Sequence, residues 1–379
     1  MSYLLWLLLP VAAASGWLVA QRGKSFLSPD YFKGLNYLLN EEPDKAIDVF
    51  IKLIDVDSDT VETHLALGLL FRRRGEVNRA IRIHQNLIAR TTLNPQQRSL
   101  ALFELAHDYR HAGLLDRAED LFRELAISGK YQVLALRQLL EIYQQEQDWN
   151  KAINIAQKLV VFDNKHKHTI AQYYCELAED YRQQGQNDAA LEAIENALKA
   201  DPNCVRASLI EGQLALQRDS REQAILAFQR VERQDPDYLT EVIEPLQSCY
   251  EAIGQEDQFA RYLRFMLERD GGLTPVLMLA KMINAREGEQ EAADFIVRHL
   301  HLHPSIRGLD SLLDLVLSDN ASIRREHLLL LKDLTTQLLK NKPAYKCRHC
   351  GFTARKLHWQ CPSCQQWNML KPIQGIDGE

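Results

Sequence analysis

Six alanines set the frame of this chain. Ala46, Ala80, Ala118, Ala152, Ala190 and Ala224 follow one another at intervals of 34, 38, 34, 38 and 34 residues. Twelve residues before each stand Gly34, Gly68, Ala106, Leu140, Ala178 and Gly212, mostly small. Five before each come the turn candidates Glu41, Gly75, Gly113, Gln147, Gly185 and Asp219, and four after each Phe50, His84, Phe122, Ala156, Ile194 and Phe228. Pro202 and Pro236 lie twelve residues beyond the last two alanines, where a helix has to stop. A period of this length accommodates one helix, a tight turn and a second, antiparallel helix. Small residues belong where the two axes come closest. The spacing therefore predicts that the Gly or Ala of the first helix meets the repeated Ala of the second, with the bulky residue filling the gap toward the next pair. One such pair cannot bury its apolar face alone, so the pairs must stack.

This pattern resembles the tetratricopeptide repeat, most clearly in LALGLLFRRRGEVNRAI (65–81) and LAEDYRQQGQNDAALEAIENALKADP (177–202). The resemblance implies an all-α, superhelical solenoid over 27–304. Six repeats are clear, and two more are degenerate, marked by Gly254 and Gly288 with Phe259 and Ala293 in the alanine place. Helices over 305–342 are expected to cap the array. The two 38-residue intervals predict four-residue insertions in the loops near 91–98 and 163–170. With 17 Gly and 12 Pro in 379 residues, the composition leaves little room for a hairpin-rich β protein.

In tetratricopeptide proteins the first helix of each hairpin lines a groove. Carried onto this chain, the groove positions include Arg72, His107, Arg110, Arg137, Arg182 and Arg206. Guanidinium groups along one channel would suit an acidic or carboxylate-bearing partner. The alternative is that they pair with Glu62, Glu141 or Glu179 on the same surface. No phosphate loop, nucleophile elbow or HExxH motif occurs, so the sequence carries no catalytic constellation. The alternating His299, His301 and His303 read as a connector before Pro304 rather than as metal ligands.

Residues 1–22 are expected to form a transmembrane anchor. Tyr3 to Ala20 carries no charge, and eighteen residues of helix rise about 27 Å, enough to cross a hydrocarbon core. Trp6 and Trp17 lie near its ends, while Arg22 and Lys24 follow it directly. Charge after the apolar run is the reverse of a secretory signal, and it predicts a periplasmic N-terminus with the bulk of the chain in the cytoplasm.

The other end carries four of the seven cysteines. Cys347-x2-Cys350 and Cys361-x2-Cys364 form two knuckles inside a predicted module, 343–372. Each CxxC turns both sulfurs toward one ion, and four thiolates make a closed, structural site for one metal ion, zinc or iron. Some 25 residues cannot build a core of their own, so the ion must fold them. From Tyr345 through Lys371 there are five basic residues and no acidic one, which would suit a nucleic-acid-binding ribbon. The net charge of −6 and the anchor argue against nucleic acid as a partner.

An anchor, a repeat array and a four-Cys end in this order resemble the lipopolysaccharide assembly protein B family, chiefly through YLLWLLLPVAAASGW and CRHCGF…CPSC. The resemblance implies a non-enzymatic adaptor of the cell inner membrane with a rubredoxin-like module, to which Cys347, Cys350, Cys361 and Cys364 correspond. It further implies that the adaptor promotes degradation of the deacetylase LpxC by the protease FtsH, and that it helps recruit lipopolysaccharide transport components. A rubredoxin-like electron carrier docked on repeats is the rival reading. A general assembly scaffold without a proteolytic role is a third.

Overall fold

The computed structural model describes residues 29–50 (41, 43 and 44 excepted), 61–318 (92, 165 and 269–271 excepted), 325–340 and 342–375. The expected anchor lies outside these residues. Among the described residues no helix is long and apolar enough to cross a membrane. Two compact units divide the chain, Met1–Glu146 and Gln147–Glu379.

The first unit contains α1 (Pro29–Leu39), a helical stretch over 45–50, α2 (Val61–Arg73), α3 (Val77–Ile88), α4 (Pro95–His111), α5 (Leu115–Leu125) and α6 (Gln132–Gln145). The second continues with α7 (Trp149–Val160), α8 (His166–Gln183), α9 (Asn187–Ala200), α10 (Val205–Gln217) and α11 (Arg221–Gln234). Beyond a 3₁₀ turn at Pro236–Tyr238 come α12 (Thr240–Ala252), α13 (Glu256–Leu267), α14 (Leu273–Glu287), α15 (Glu289–Leu302), α16 (Ile306–Ser318) and α17 (Arg325–Lys340). A three-stranded antiparallel sheet closes the unit, with β1 (Tyr345–Cys347) between β2 (Thr353–Ala354) and β3 (Leu370–Pro372).

The turn positions do what the spacing requires. Gly75, Gly113, Gly185, Gly254 and Gly288 take positive φ, and so do Gln147 and Asp219, each at 58°. A left-handed residue there ends one helix and lets the next amide reach back, as Glu76 N–H does to Phe71 O (2.8 Å) and Ser220 N–H to Ala215 O (2.9 Å). All six repeated alanines are fully buried.

Two expectations need correction. At Gly34, Gly68 and Gly212 the bulky residue four after the alanine, which the spacing assigned to the gap toward the next pair, is seated against the glycine of its own pair's first helix. A Cβ at Gly34 would lie 2.7 Å from the ring of Phe50, and one at Gly68 or Gly212 would overlap the rings of His84 or Phe228. The missing methyl is the socket for the ring. The four-residue insertions, in turn, lengthen helices rather than loops. Helices α4 and α8 run 17 and 18 residues, whereas α2, α6 and α10 run 13, 14 and 13. Asn94 caps α4 by accepting from Gln97 N–H at 2.8 Å, so the added turn starts cleanly.

In the second unit the core runs from Val205 through Phe228, Tyr238, Leu246 and Phe259 to Leu279, and Leu357 and Trp359 of the C-terminal module pack against it. That continuity places the four cysteines on the helices rather than on a tether.

Candidate metal centre

Two matching turns build the cysteine site. In the first knuckle Cys347 N–H donates to Phe352 O (2.7 Å) and Gly351 N–H to Cys347 O (3.0 Å). In the second, Cys361 N–H donates to Gln366 O (2.9 Å) and Gln365 N–H to Cys361 O (2.8 Å). The residue after each second cysteine is left-handed, Gly351 at φ 79° and Gln365 at 56°. This curl aims two sulfurs from each loop at one point.

All four Sγ atoms lie within 4.8 Å of one another. Cys347 and Cys364 stand 3.8 Å apart, Cys350 and Cys361 3.7 Å. A tetrahedral ion bound at about 2.3 Å separates its sulfurs by about 3.8 Å, so the set fits one zinc or iron ion. A disulfide would bring two sulfurs to about 2.05 Å, far shorter than these separations. Without a cation the thiols compete for charge. The Phe352 backbone N–H draws Cys350 down to about 6. The Gln366 backbone N–H favours the Cys364 thiolate, but desolvation and the other three thiols together outweigh it and push Cys364 up to about 12. A divalent ion removes that competition by holding all four as thiolates. Cys347 and Cys361 are buried, Cys364 is half-buried, and Cys350 faces outward.

The module is seated by contacts that span much of the second unit. The buried hydroxyl of Tyr238 donates to Asn368 Oδ1 (2.7 Å) and is within reach of Leu370 O (2.9 Å). Lys371 pairs with Asp235 and lies 4.1 Å from the centre of the Tyr238 ring. Arg348 pairs with Asp237 at 2.6 Å, and Tyr345 donates to Glu241 at 2.6 Å. Trp359 faces Tyr238 (5.3 Å) and the Arg206 guanidinium (5.9 Å), while Trp367 meets Tyr173 edge-on at 5.9 Å. Burial and the flanking Asp235 and Asp237 push the Tyr238 hydroxyl far above the usual phenol value, so it stays a donor.

The six groove candidates fall in both units, Arg72, His107, Arg110 and Arg137 in the first and Arg182 and Arg206 in the second. Most already have partners. Arg72 pairs with Glu104 (2.6 Å) and with the fully buried Asp108 (2.7 Å), whose second oxygen meets His84 Nδ1 at 2.5 Å. Arg110 pairs with Glu141 (2.6 Å), Arg182 with Glu179 (2.6 Å) and the buried Arg206 with Glu176 (2.8 Å). His107 packs edge-on against Phe103 and Phe122, and burial lowers its pKa. Arg137 is exposed, with no ion-pair partner among the described residues.

Comparison with known proteins agrees with this architecture. Tetratricopeptide repeat models match residues 63–99 and 175–238, and a model described as a rubredoxin metal binding domain matches 345–372. Lipopolysaccharide assembly protein B of Escherichia coli strain K12 is 42% identical over 99% of each chain. The chain belongs to the lipopolysaccharide assembly protein B family. The Haemophilus influenzae Rd member is 36% identical over 98% of each chain. Among solved structures, the C-terminal part of a tetratricopeptide protein from Cytophaga hutchinsonii covers 79% of this chain and 99% of its own, at 13% identity and a TM-score of 0.37.

In this family member the seat of the metal module is what sequence reasoning missed. Asp235, Asp237, Tyr238 and Glu241 read as an ordinary helix boundary. The one signal was Pro236 followed by four polar or aromatic residues within five positions, too common to single out.

Proposed function

We propose that the chain is a non-enzymatic adaptor in lipopolysaccharide assembly, held at the inner membrane by residues 1–22 with its N-terminus periplasmic and its bulk cytoplasmic. The hairpin stacks capture protein partners, and the metal module fixes the last repeats in a defined geometry. LpxC, FtsH and lipopolysaccharide transport components are the proposed partners, with capture leading to LpxC degradation. The observation that carries this reading is the end-to-end likeness to lipopolysaccharide assembly protein B, anchor-like segment and four-Cys end included. Sharing one membrane with the protease raises the effective concentration of the two. Exposed Arg137, with Arg110 beside Glu141, supplies the cationic contact.

The test is LpxC half-life in cells that carry the chain in place of the resident protein. Arg137→Glu and Cys347→Ser/Cys350→Ser should each lengthen it several-fold with the anchor still inserted. Unchanged turnover in both variants would sink the proposal.

The outward-facing Cys350 sulfur favours a second reading, in which iron in the knuckles exchanges electrons with a docked reductase. Metal analysis and visible absorption of the purified protein decide it. Colourless protein holding zinc removes electron transfer.

A further inference from the structure

Away from the four-Cys site, two more cysteines face each other. Cys175, in the middle of α8, and Cys204, the residue that caps α10, come to 3.7 Å between sulfurs although 29 residues separate them in the chain. Both are free thiols and both are buried. They sit directly beneath the metal module. Tyr173, two residues before Cys175, carries Trp367, and Arg206, two residues after Cys204, carries Trp359 and pairs with Glu176, the residue after Cys175.

The surroundings suit oxygen chemistry at sulfur. Gln172 donates to the Cys204 sulfur at 3.6 Å and leaves its own Oε1 unpartnered, and Arg206 Nε is a buried donor without an acceptor. A sulfenic hydroxyl on Cys204 would offer a donor to Gln172, whose amide already reaches that sulfur and whose Oε1 lacks a partner. The hydrogen bond from Cys175 and the Ala207 N–H at the start of α10 lower the Cys204 pKa against its burial, whereas burial holds Cys175 as the thiol. Cys204 is therefore the attacking sulfur and Cys175 the resolving one.

We propose that Cys175 and Cys204 are a peroxide-modification site that closes to an intrachain disulfide and reports its state to the metal module. The Cys204 thiolate attacks one oxygen of hydrogen peroxide, the O–O bond breaks, and sulfenic acid and, after protonation of the leaving hydroxide, one water result. The Cys175 thiol then attacks that sulfur, its proton leaves with the displaced hydroxyl as a second water, and the S–S bond forms. Two thiols lose two electrons, and peroxide takes them. Bonding draws sulfurs 3.7 Å apart to about 2.05 Å, so the side chains packed around them on α8 and the start of α10 must readjust. Tyr173 and Arg206 ride on those two segments, and the module's tryptophans rest on them.

The experiment uses the full-length, metal-loaded protein in detergent, treated with hydrogen peroxide and then alkylated. Peptide mapping is expected to show the 175–204 cross-link as the main new species, reversed by dithiothreitol, with metal content unchanged. Tryptophan emission should shift on oxidation in the parent and in Cys249→Ser, and should not shift in Cys175→Ala. In that variant Cys204 is expected to stop at sulfenic acid, trapped by dimedone. Two results overturn the proposal: both thiols still alkylatable after the metal-site cysteines have been oxidised, or the same emission shift in Cys175→Ala.

Discussion

At the scale of single residues, the repeat works by exchanging one small group for one ring. Gly34, Gly68 and Gly212 each leave room for a particular side chain, Phe50, His84 or Phe228, four residues past the buried alanine. Adding a methyl group to such a socket forces the ring off its rotamer. Gly212→Ala is expected to destabilise the second unit by about 1–3 kcal/mol, read from the shift of its denaturant midpoint. The opposite sign is expected at the turns. Gln147 holds a left-handed conformation that glycine adopts freely. Gln147→Gly should therefore stabilise by up to about 1 kcal/mol in the same measurement. These sockets were half legible in the sequence. Spacing located Gly212 and Phe228, but it could not say which small residue faced which large one, because that depends on how far one helix slides along the other.

At the scale of elements, charge is buried where the spacing suggested a binding surface. Helices α2, α3 and α4 share a polar network in which Arg72 bridges Glu104 and Asp108, and Asp108 also holds His84. Removing the guanidinium leaves two carboxylates in a poorly solvated site. Arg72→Leu is expected to cost about 3–5 kcal/mol, measured as a loss of the first unit's unfolding free energy. Arg137→Glu should leave the same transition unmoved, because Arg137 is exposed. Sequence alone could not separate these two arginines. Both occupy groove positions of the repeat, and the acids that pair with Arg72 come from α4, more than thirty residues on. The extra turn in α4 and α8 was hidden for a related reason. A four-residue insertion looks the same in a spacing count whether a helix or a loop takes it up.

At the scale of the whole molecule, the metal module stands apart from the repeats in sequence but not in packing. Its motif was readable in full, since CxxC pairs define their own geometry. Its seat was not readable, because Tyr238 meets Asn368 and Leu370 across 130 and 132 residues and neither side carries a motif. Stripping the ion with a strong chelator should consequently reach beyond the four cysteines. Hydrogen exchange is expected to accelerate over 205–250, where the core receives Trp359 and Leu357. Protection over 61–125, in the first unit, should stay as it was. Loss confined to 345–372 would mean that the module is only a passenger. The same seat has a bearing on biosynthesis. The strand that covers Tyr238 is translated more than a hundred residues after the tyrosine itself. Until it leaves the ribosome, a ring that ends up fully enclosed stays open on one side, and a nascent polypeptide interrupted before residue 345 offers chaperones and proteases a mark of its incompleteness.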